Sequence, residues 1–479
     1  MLTRSENTIQ QRWLRYCQRF AATFKPLDSS AGLSASNLGL IVVIPCYNEP
    51  DVMHTINALY ACTRPGCAVE VLLIINASCQ DDDTIHQQNR KTLDELSTWA
   101  GQFNEAAFRL HCVYEDSLPV KHQGVGLARK IGLDLAVSRF AEVGNEEGVC
   151  VSLDADCLLS ENYLCELRQY FFVNRQHQIA VIDFEHRFEE VSDDDHRDAM
   201  IAYELYLRYY VQGICYAGLP YGYQTLGSCF AVRAKAYMAQ GGMNKRQGGE
   251  DFYFIHKFTT LGQCGRIHTT RVMPSARLSQ RVPFGTGPAV SRWMEDGSGT
   301  YSTYDSRVFQ DLRCLVNWLQ GLAEKSDFTI GGLQLLPQVL VIFLKQQGVE
   351  QRMAEIRANT ASVKTLVERF FQWFNAFLAL KYIHFAHKTH YQSKPLIASA
   401  QAMLREGALP PKSLPPRKRG ACPREGVGDA LPQIFNGGQE TSEGLFDLLS
   451  VYRQHDVQKT WQESGITQVK HGNMERRGM

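Results

Sequence analysis

At 479 residues the chain exceeds what one hydrophobic core usually fills, so a main domain with satellite regions is expected. Hydrophobic residues make up 44% and charged residues 21%, as in a globular protein, and 50 Lys plus Arg balance 50 Asp plus Glu, which excludes the global basic field that gathers nucleic acid. The fourteen cysteines form no CxxC pair, which removes the usual structural zinc spacing; Cys46, Cys79, Cys150 and Cys157, in or beside apolar runs, read as free thiols of a reducing, cytoplasmic setting.

The first 37 residues carry Trp13, Leu14, Tyr16 and Phe20 at roughly helical spacing and then a Ser, Ala and Gly stretch, which predicts a packed helix and a linker without an export signal. Apolar, β-rich runs at residues 38–45, 69–75, 107–113 and 149–153 predict buried parallel strands, with helical patterns between them. That alternation describes a doubly wound α/β sheet, whose ligands bind beyond the carboxyl ends of the strands. Residues 194–216 read as a helix whose Tyr203, Tyr206, Tyr209 and Tyr210 belong to a core, followed by Gly218, Gly222 and Gly227 and a short strand at 229–232. The catalytic domain is therefore expected at 38–304, a helical C-terminal region at 305–405, and a Pro-rich basic linker and tail at 406–479, with a short amphipathic helix near 445–452. The most apolar late run, 335–344, is interrupted by Pro337 and Gln338 and is too short to span a bilayer, so it reads as a buried helix and leaves at most peripheral membrane contact.

Three segments carry candidate chemistry. Pro45, Cys46, Tyr47, Asn48, Glu49 and Pro50 end the first strand, which puts an aromatic, an amide and a carboxylate in the ligand-facing crevice, although a plain strand stop with a helix cap reads the same way. Asp154 and Asp156 follow the fourth strand; two acids one residue apart repel each other unless a cation lies beside them, which suits Mg²⁺ or Mn²⁺ on a diphosphate, while an Asp-rich turn capping the next helix remains the alternative. Gly241, Gly242, Gly248 and Gly249 bracket a loop that delivers Glu250 and Asp251 to the first turn of a helix, where Asp251 either takes an acceptor's proton or merely complements the helix dipole. Between the first and second segments, Gly124, Gly126, Arg129, Lys130 and Gly132 make neither a complete phosphate loop nor the GxGxxG pattern directly after strand one, which argues against ATPase and dehydrogenase readings.

In this order, the Pro45–Pro50 turn, the glycine-bearing segment with Arg129 and Lys130, the Asp154-Ala155-Asp156 string and the Gly-rich lead into Glu250 and Asp251 resemble the family 2 glycosyltransferases of the GT-A fold, over roughly residues 38–300. The resemblance implies inverting transfer of a sugar from a nucleotide-sugar donor to a hydroxyl acceptor, dependent on Mn²⁺ or Mg²⁺. It implies donor binding by Pro45, Tyr47, Asn48, Glu49 and Asn76 on the nucleoside side and by Arg129, Lys130, Asp154 and Glu250, with the metal on Asp154 and Asp156 and Asp251 as the base. One departure is visible: an Asp-Asp-Gly-Ser turn is common in that family after strand two, but here Asn76, Ala77, Ser78 and Cys79 stand there, with acids only at Asp81, Asp82 and Asp83. This leaves the nucleotide open between UDP, GDP and others. The chain also lacks the membrane spans and QxxRW-like signature of the large polysaccharide synthases.

Two further features are weaker. His268 is a candidate third metal ligand, and the segment with Arg277, Ser279, Arg281, Val282, Pro283, Phe284, Gly285, Thr286 and Gly287 is a basic, glycine-bearing loop suited to closing over phosphates. His384, His387 and His390 share a helical face without nearby acids and are expected to be structural. Two alternative functions are a sugar-phosphate nucleotidyltransferase, disfavoured because residues 45–50 contain neither glycine nor lysine, and a non-catalytic nucleotide-sugar binding protein.

Overall fold

The computed structural model describes residues 4–20, 27, 32, 34–278, 286–296, 301–324, 332–407 and 442–458. The Pro-rich segment around Pro410–Arg419, Ser279 and residues 281–285 lie outside these. The chain forms two compact units, Met1–Val191 with Tyr223–Pro288, and Ser192–Gly222 with Ala289–Met479. This differs from the boundaries expected from sequence: residues 192–222 group with the C-terminal helices, and the N-terminal helix groups with the sheet.

The first unit is built on an eight-stranded sheet. Its strands are β1 (Leu38–Cys46), β2 (Ala68–Ser78), β3 (Phe108–Leu118), β4 (Val149–Ser152), β5 (Leu158–Leu159), β6 (Ile179–Phe184), β7 (Phe230–Arg233) and β8 (Cys264–Met273), in the order β3-β2-β1-β4-β7-β6-β8-β5. β1 pairs in parallel with β2 and β4, β2 with β3, and β6 with β8, whereas β7 is antiparallel to both β4 and β6. This is the expected α/β class, a mostly parallel doubly wound sheet. Every residue of β1 and β2 is buried, which is why β1 is a continuous apolar run and β2, as far as Ile75, one broken only by Glu70, whose carboxylate is paired with Arg139, rather than alternating ones.

Strand order decides where a ligand can sit. The chain moves outward from β1 to β2 to β3 and then returns to the other side of β1 as β4, so the β1/β4 boundary is the topological switch point, beyond whose carboxyl edge open α/β sheets bind their ligands. Pro45 fits there for a backbone reason. The Val43 carbonyl accepts the Leu153 N–H at 3.1 Å, so Pro45, two residues on, faces the same side past the end of β4, where a missing N–H loses no ladder bond. The helices of this unit are α1 (Arg4–Phe20), α2 (Val52–Ala61), α3 (Asp83–Phe103), α4 (Val125–Glu142), α5 (Tyr163–Val173), α7 (Ala234–Ala239) and α8 (Glu250–Thr259). α4 lies against the sheet so closely that a Cβ on Gly132 would come within 2.3 Å of Val43 Cγ1.

The second unit is helical. It contains α6 (Asp194–Tyr216), most of α9 (Thr286–Asp296), α10 (Arg307–Glu324), α11 (Gln338–Gln346), α12 (Val349–Ala358), α13 (Val363–Trp373), α14 (Ala376–Thr389), α15 (Leu396–Gly407) and α16 (Ser442–Gln458), with a small ladder of β9 (Ser302–Thr303) and β10 (Lys394–Pro395). Tyr203 and Tyr209 are core residues of α6 as expected, while Tyr206 and Tyr210 are only partly buried. α6 and α16 are joined by buried charges: Glu204 takes Arg208 and Arg453, and Arg208 also meets Asp456. α11 begins directly after Pro337 and buries Val339, Leu340, Phe343 and Leu344, matching the helix expected there. His384 meets the Tyr304 hydroxyl at 3.0 Å and His387 accepts the Asp305 N–H at 2.9 Å, so both have structural partners. No described helix is long and apolar enough to cross a membrane.

Candidate functional site

At the carboxyl edge, the turn after β1 is fixed in an unusual backbone state. Asn48 has φ of +47°, the one non-glycine residue among those described in the left-handed region, and asparagine tolerates it better than most. The turn is held from α3: the Asn48 N–H donates to Asn89 Oδ1 at 3.0 Å, and Asn89 Nδ2 donates to the Asn76 carbonyl at 3.0 Å. A single buried amide thus ties the ends of β1 and β2 together. Tyr47 is anchored by its hydroxyl, 3.1 Å from Asp81 Oδ1, while Asp81 Oδ2 accepts the Ser78 N–H at 2.7 Å. Asp81 therefore organises the turn after β2. Asn76 is buried and its Oδ1 has no hydrogen-bond partner, which leaves an acceptor suited to a donor on a ligand.

Arg129, on the first turns of α4, is the hub of the second cluster. Its Nε donates to Glu250 Oε1 at 3.1 Å, and its terminal nitrogens reach Asp154 Oδ1 at 3.0 and 3.1 Å, Ser152 Oγ at 2.9 Å and the Gly227 carbonyl at 3.1 Å. The side chain is 2% exposed, so its hydrogens are committed to the protein and it braces Asp154 and Glu250 from behind. Glu250 is similarly buried, and of Arg129 and the three acids around it, Asp154, Glu250 and Asp251, only Asp154 and Asp251 offer appreciable surface. Space for the guanidinium depends on Gly227, where a Cβ would lie 2.4 Å from Arg129 Nη2. The loop that delivers Glu250 also needs glycine, because a Cβ on Gly126 would stand 2.1 Å from the Arg246 carbonyl oxygen.

Asp251 is partly buried in the first turn of α8, after Gly249 at φ +70°. Burial raises its carboxyl most, the charge of Glu250 raises it further, and Arg129 and the Phe252 N–H lower it, leaving it at about 7. Asp251 is thus a carboxylate close to the acid–base balance point at neutral pH, where a general base works best.

Arg277, beyond β8, forms the third cluster. Its fork meets Glu49 through both terminal nitrogens, one at 2.9 Å, and also reaches Asp51 Oδ2 at 3.1 Å and Asp156 Oδ2 at 3.4 Å. Three carboxylates from the ends of two strands converge on this one guanidinium. Across the two clusters, Asp154, Glu250 and Asp251 face Arg129, and Glu49, Asp51 and Asp156 face Arg277, so six acids stand against two arginines. That excess of negative charge fits a divalent cation. Among the described residues no group of three or more His, Cys, Asp or Glu is set to hold a metal ion alone, but Mg²⁺ is commonly held by one or two carboxylates plus substrate phosphates. Asp154 at 38% and Asp156 at 28% exposure are the acids open to such an arrangement.

Two expected site residues point elsewhere. Lys130 is buried and pairs with Asp134 at 3.0 Å and with the Tyr16 hydroxyl at 2.9 Å, so its charge holds α1 to α4 instead of meeting a donor. His268 places Nδ1 2.9 Å from Asp183 Oδ2 and belongs to no metal-holding group with Asp154 and Asp156. Sequence reasoning missed Asn89, Gly227 and the organising role of Asp81. Of these, only Asn89 left a signal, since it shares the buried stripe of α3 with Thr92, Leu96 and Trp99.

No family model matches the sequence, and no curated protein matches it. Among solved structures, the chain is similar to S. aureus TarS 1–349 in complex with UDP, at 12% identity and a TM-score of 0.34, over 74% of this chain and 92% of that one. A second S. aureus TarS structure matches at 12% identity and a TM-score of 0.28, over 73% of this chain and 55% of that one. Likeness at that level carries no argument about activity or ligand.

Proposed function

We propose that the protein is a glycosyltransferase that moves a sugar from a nucleoside-diphosphate sugar to a hydroxyl acceptor with inversion, dependent on Mn²⁺ or Mg²⁺. The observation that carries this reading is the Arg129 fork, which binds Asp154 beyond β4 and Glu250 beside Asp251 at one switch-point crevice. The turn of Pro45, Tyr47, Asn48 and Glu49 would receive the nucleoside, with Asn76 Oδ1 accepting a hydrogen bond from the base. Asp154 and Asp156 would hold the divalent ion. When bound, that ion supplies Lewis-acid stabilisation of the departing diphosphate.

Asp251 acts on the acceptor side. It accepts the hydroxyl proton as the acceptor oxygen bonds to the anomeric carbon and the bond to the diphosphate breaks on the opposite face, a contribution of about 10² to 10⁴ in rate. Its carboxyl at about 7 leaves a large ionised fraction at neutral pH while keeping it basic enough to take the proton. Arg129 fixes the positions of the two acids it binds and, from 2% exposure, lends positive potential to both. A cytoplasmic setting, with membrane contact no more than peripheral, is part of the same proposal.

The test is release of nucleoside diphosphate from a panel of nucleotide sugars with Mn²⁺. Acceptor-dependent release that disappears in Asp251→Asn supports the assignment. Pyrophosphate formed from a nucleoside triphosphate and a sugar phosphate would instead mark a nucleotidyltransferase, and binding of nucleotide sugar without any turnover would mark a binding protein.

A further inference from the structure

Arg277 is a positive charge located where the proposed divalent ion would need negative charge. Its tightest hold is on Glu49, a 3% exposed carboxylate met by both arms of the fork, whereas the contact to Asp156 Oδ2 is the longest, at 3.4 Å. Guanidinium groups are planar, permanently charged and matched to carboxylates and phosphates alike. A divalent ion on Asp156 and a guanidinium on the same carboxylate repel each other, so both cannot be held at full strength.

We propose that Arg277 is a tethered counter-ion that competes with the divalent cation for Asp156. With no metal present it balances Asp156 and Glu49. Metal binding at Asp156 breaks the long contact from Arg277 Nη2 to Oδ2 while the buried Glu49 keeps both terminal nitrogens, and the N–H freed from Asp156 then faces the diphosphate oxygens of the donor. The inference rests on the metal-dependent reading above and adds, to the phosphate contact expected of the Arg277 segment, a competition with the metal for Asp156. It also gives the acid cluster a counter-charge in the absence of metal, since a buried carboxylate such as Glu49 is costly to leave unpaired.

The decisive measurement is Mn²⁺ affinity of the full chain, alone and with a nucleoside diphosphate present, followed by electron paramagnetic resonance of free Mn²⁺, for wild type, Arg277→Gln and Arg277→Lys. Removing the competing charge in Arg277→Gln is expected to tighten Mn²⁺ by about tenfold, within the usual range for two coupled sites. The same variant, saturated with Mn²⁺, is expected to bind nucleoside diphosphate more weakly than wild type. Arg277→Lys keeps the charge and is expected to leave Mn²⁺ affinity near the wild-type value. Unchanged or weaker Mn²⁺ binding in Arg277→Gln, or tightening in Arg277→Lys equal to that in Arg277→Gln, overturns the proposal while leaving the enzyme reading intact. Absence of Mn²⁺ binding by all three proteins at millimolar concentration, both alone and with a nucleoside diphosphate present, overturns the metal-dependent reading and this inference together. Thermal melts of each variant confirm that the folded protein is being titrated.

Discussion

Replacing Asp251 with Asn keeps the shape of the side chain and removes a charge that the fold resists. In the folded protein the carboxyl stands at about 7, because burial and the neighbouring Glu250 outweigh the help of Arg129 and the Phe252 N–H. In an unfolded chain it returns to about 3.9. A folded-state value above the unfolded one means that ionising Asp251 opposes folding: its contribution to stability is full below about pH 4, is lost as pH rises toward 7, and is flat above that. A gap of about three units corresponds to about 4 kcal/mol at pH 8. The Asn variant carries no such penalty at any pH. It is therefore expected to match wild type near pH 4 and to exceed it by up to about 4 kcal/mol at pH 8, the difference growing by at most about 1.4 kcal/mol per pH unit. Urea unfolding at pH 4.5, 6 and 8 measures this, and taking variant minus wild type cancels the titration of groups remote from Asp251. Turnover is expected to move the other way, falling by about 10² to 10⁴. A stability difference that is the same at all three pH values would refute the argument for a raised carboxyl, and unchanged turnover would refute its role as base.

Glu250→Gln removes the second cause of the Asp251 shift and frees more of the Arg129 charge to act on it, so the acid limb of kcat/KM, expected near pH 7 in wild type, should move to lower pH; a pH-rate profile of the two proteins decides it. Gly227→Ala sets a methyl 2.4 Å from Arg129 Nη2 and forces the fork off Asp154. The expected loss is about 1 to 3 kcal/mol in a chemical melt together with most of the turnover. Asn89→Ala leaves the Asn48 N–H and the Asn76 carbonyl without their partner, a loss of about 1 to 3 kcal/mol, and calorimetry with a nucleoside diphosphate should show weakened binding while kcat of the saturated enzyme changes little. Chelation by EDTA is expected to abolish release of nucleoside diphosphate, with Mn²⁺ restoring it; full activity in EDTA would remove the metal from the mechanism.

How much of this was readable in the chain depended on how local the physics was. β1 and β2 stood out because strands buried on both faces are near-continuous apolar runs, and the residues just beyond β1 and β4 could be placed in a crevice by topology alone. β6 and β8 were not anticipated. β8 reads Cys-Gly-Arg-Ile-His-Thr-Thr-Arg-Val-Met; Arg266 and His268 meet Asp183, Thr269 and Arg271 lie at the surface and Thr270 is buried, so its pattern carries no clear apolar run.

Arg129 and Lys130 show where adjacency misleads. Neighbours on a helix point about 100° apart, so two basic residues in succession cannot both face one crevice. The spacing already held the correction, because Asp134 lies four residues beyond Lys130, the distance at which side chains meet along a helix. Nothing comparable marked the partners of Arg129. Ser152, Asp154, Gly227 and Glu250 come to it from segments 23 to 121 residues away, and a fork with that many fixed bonds exists only once β4, the Gly227 turn and the start of α8 have been folded onto α4. The acids could be nominated from their types and positions. The arginine that joins them could be nominated too, but its burial, and therefore its task of holding Asp154 and Glu250 in place, belongs to the tertiary structure.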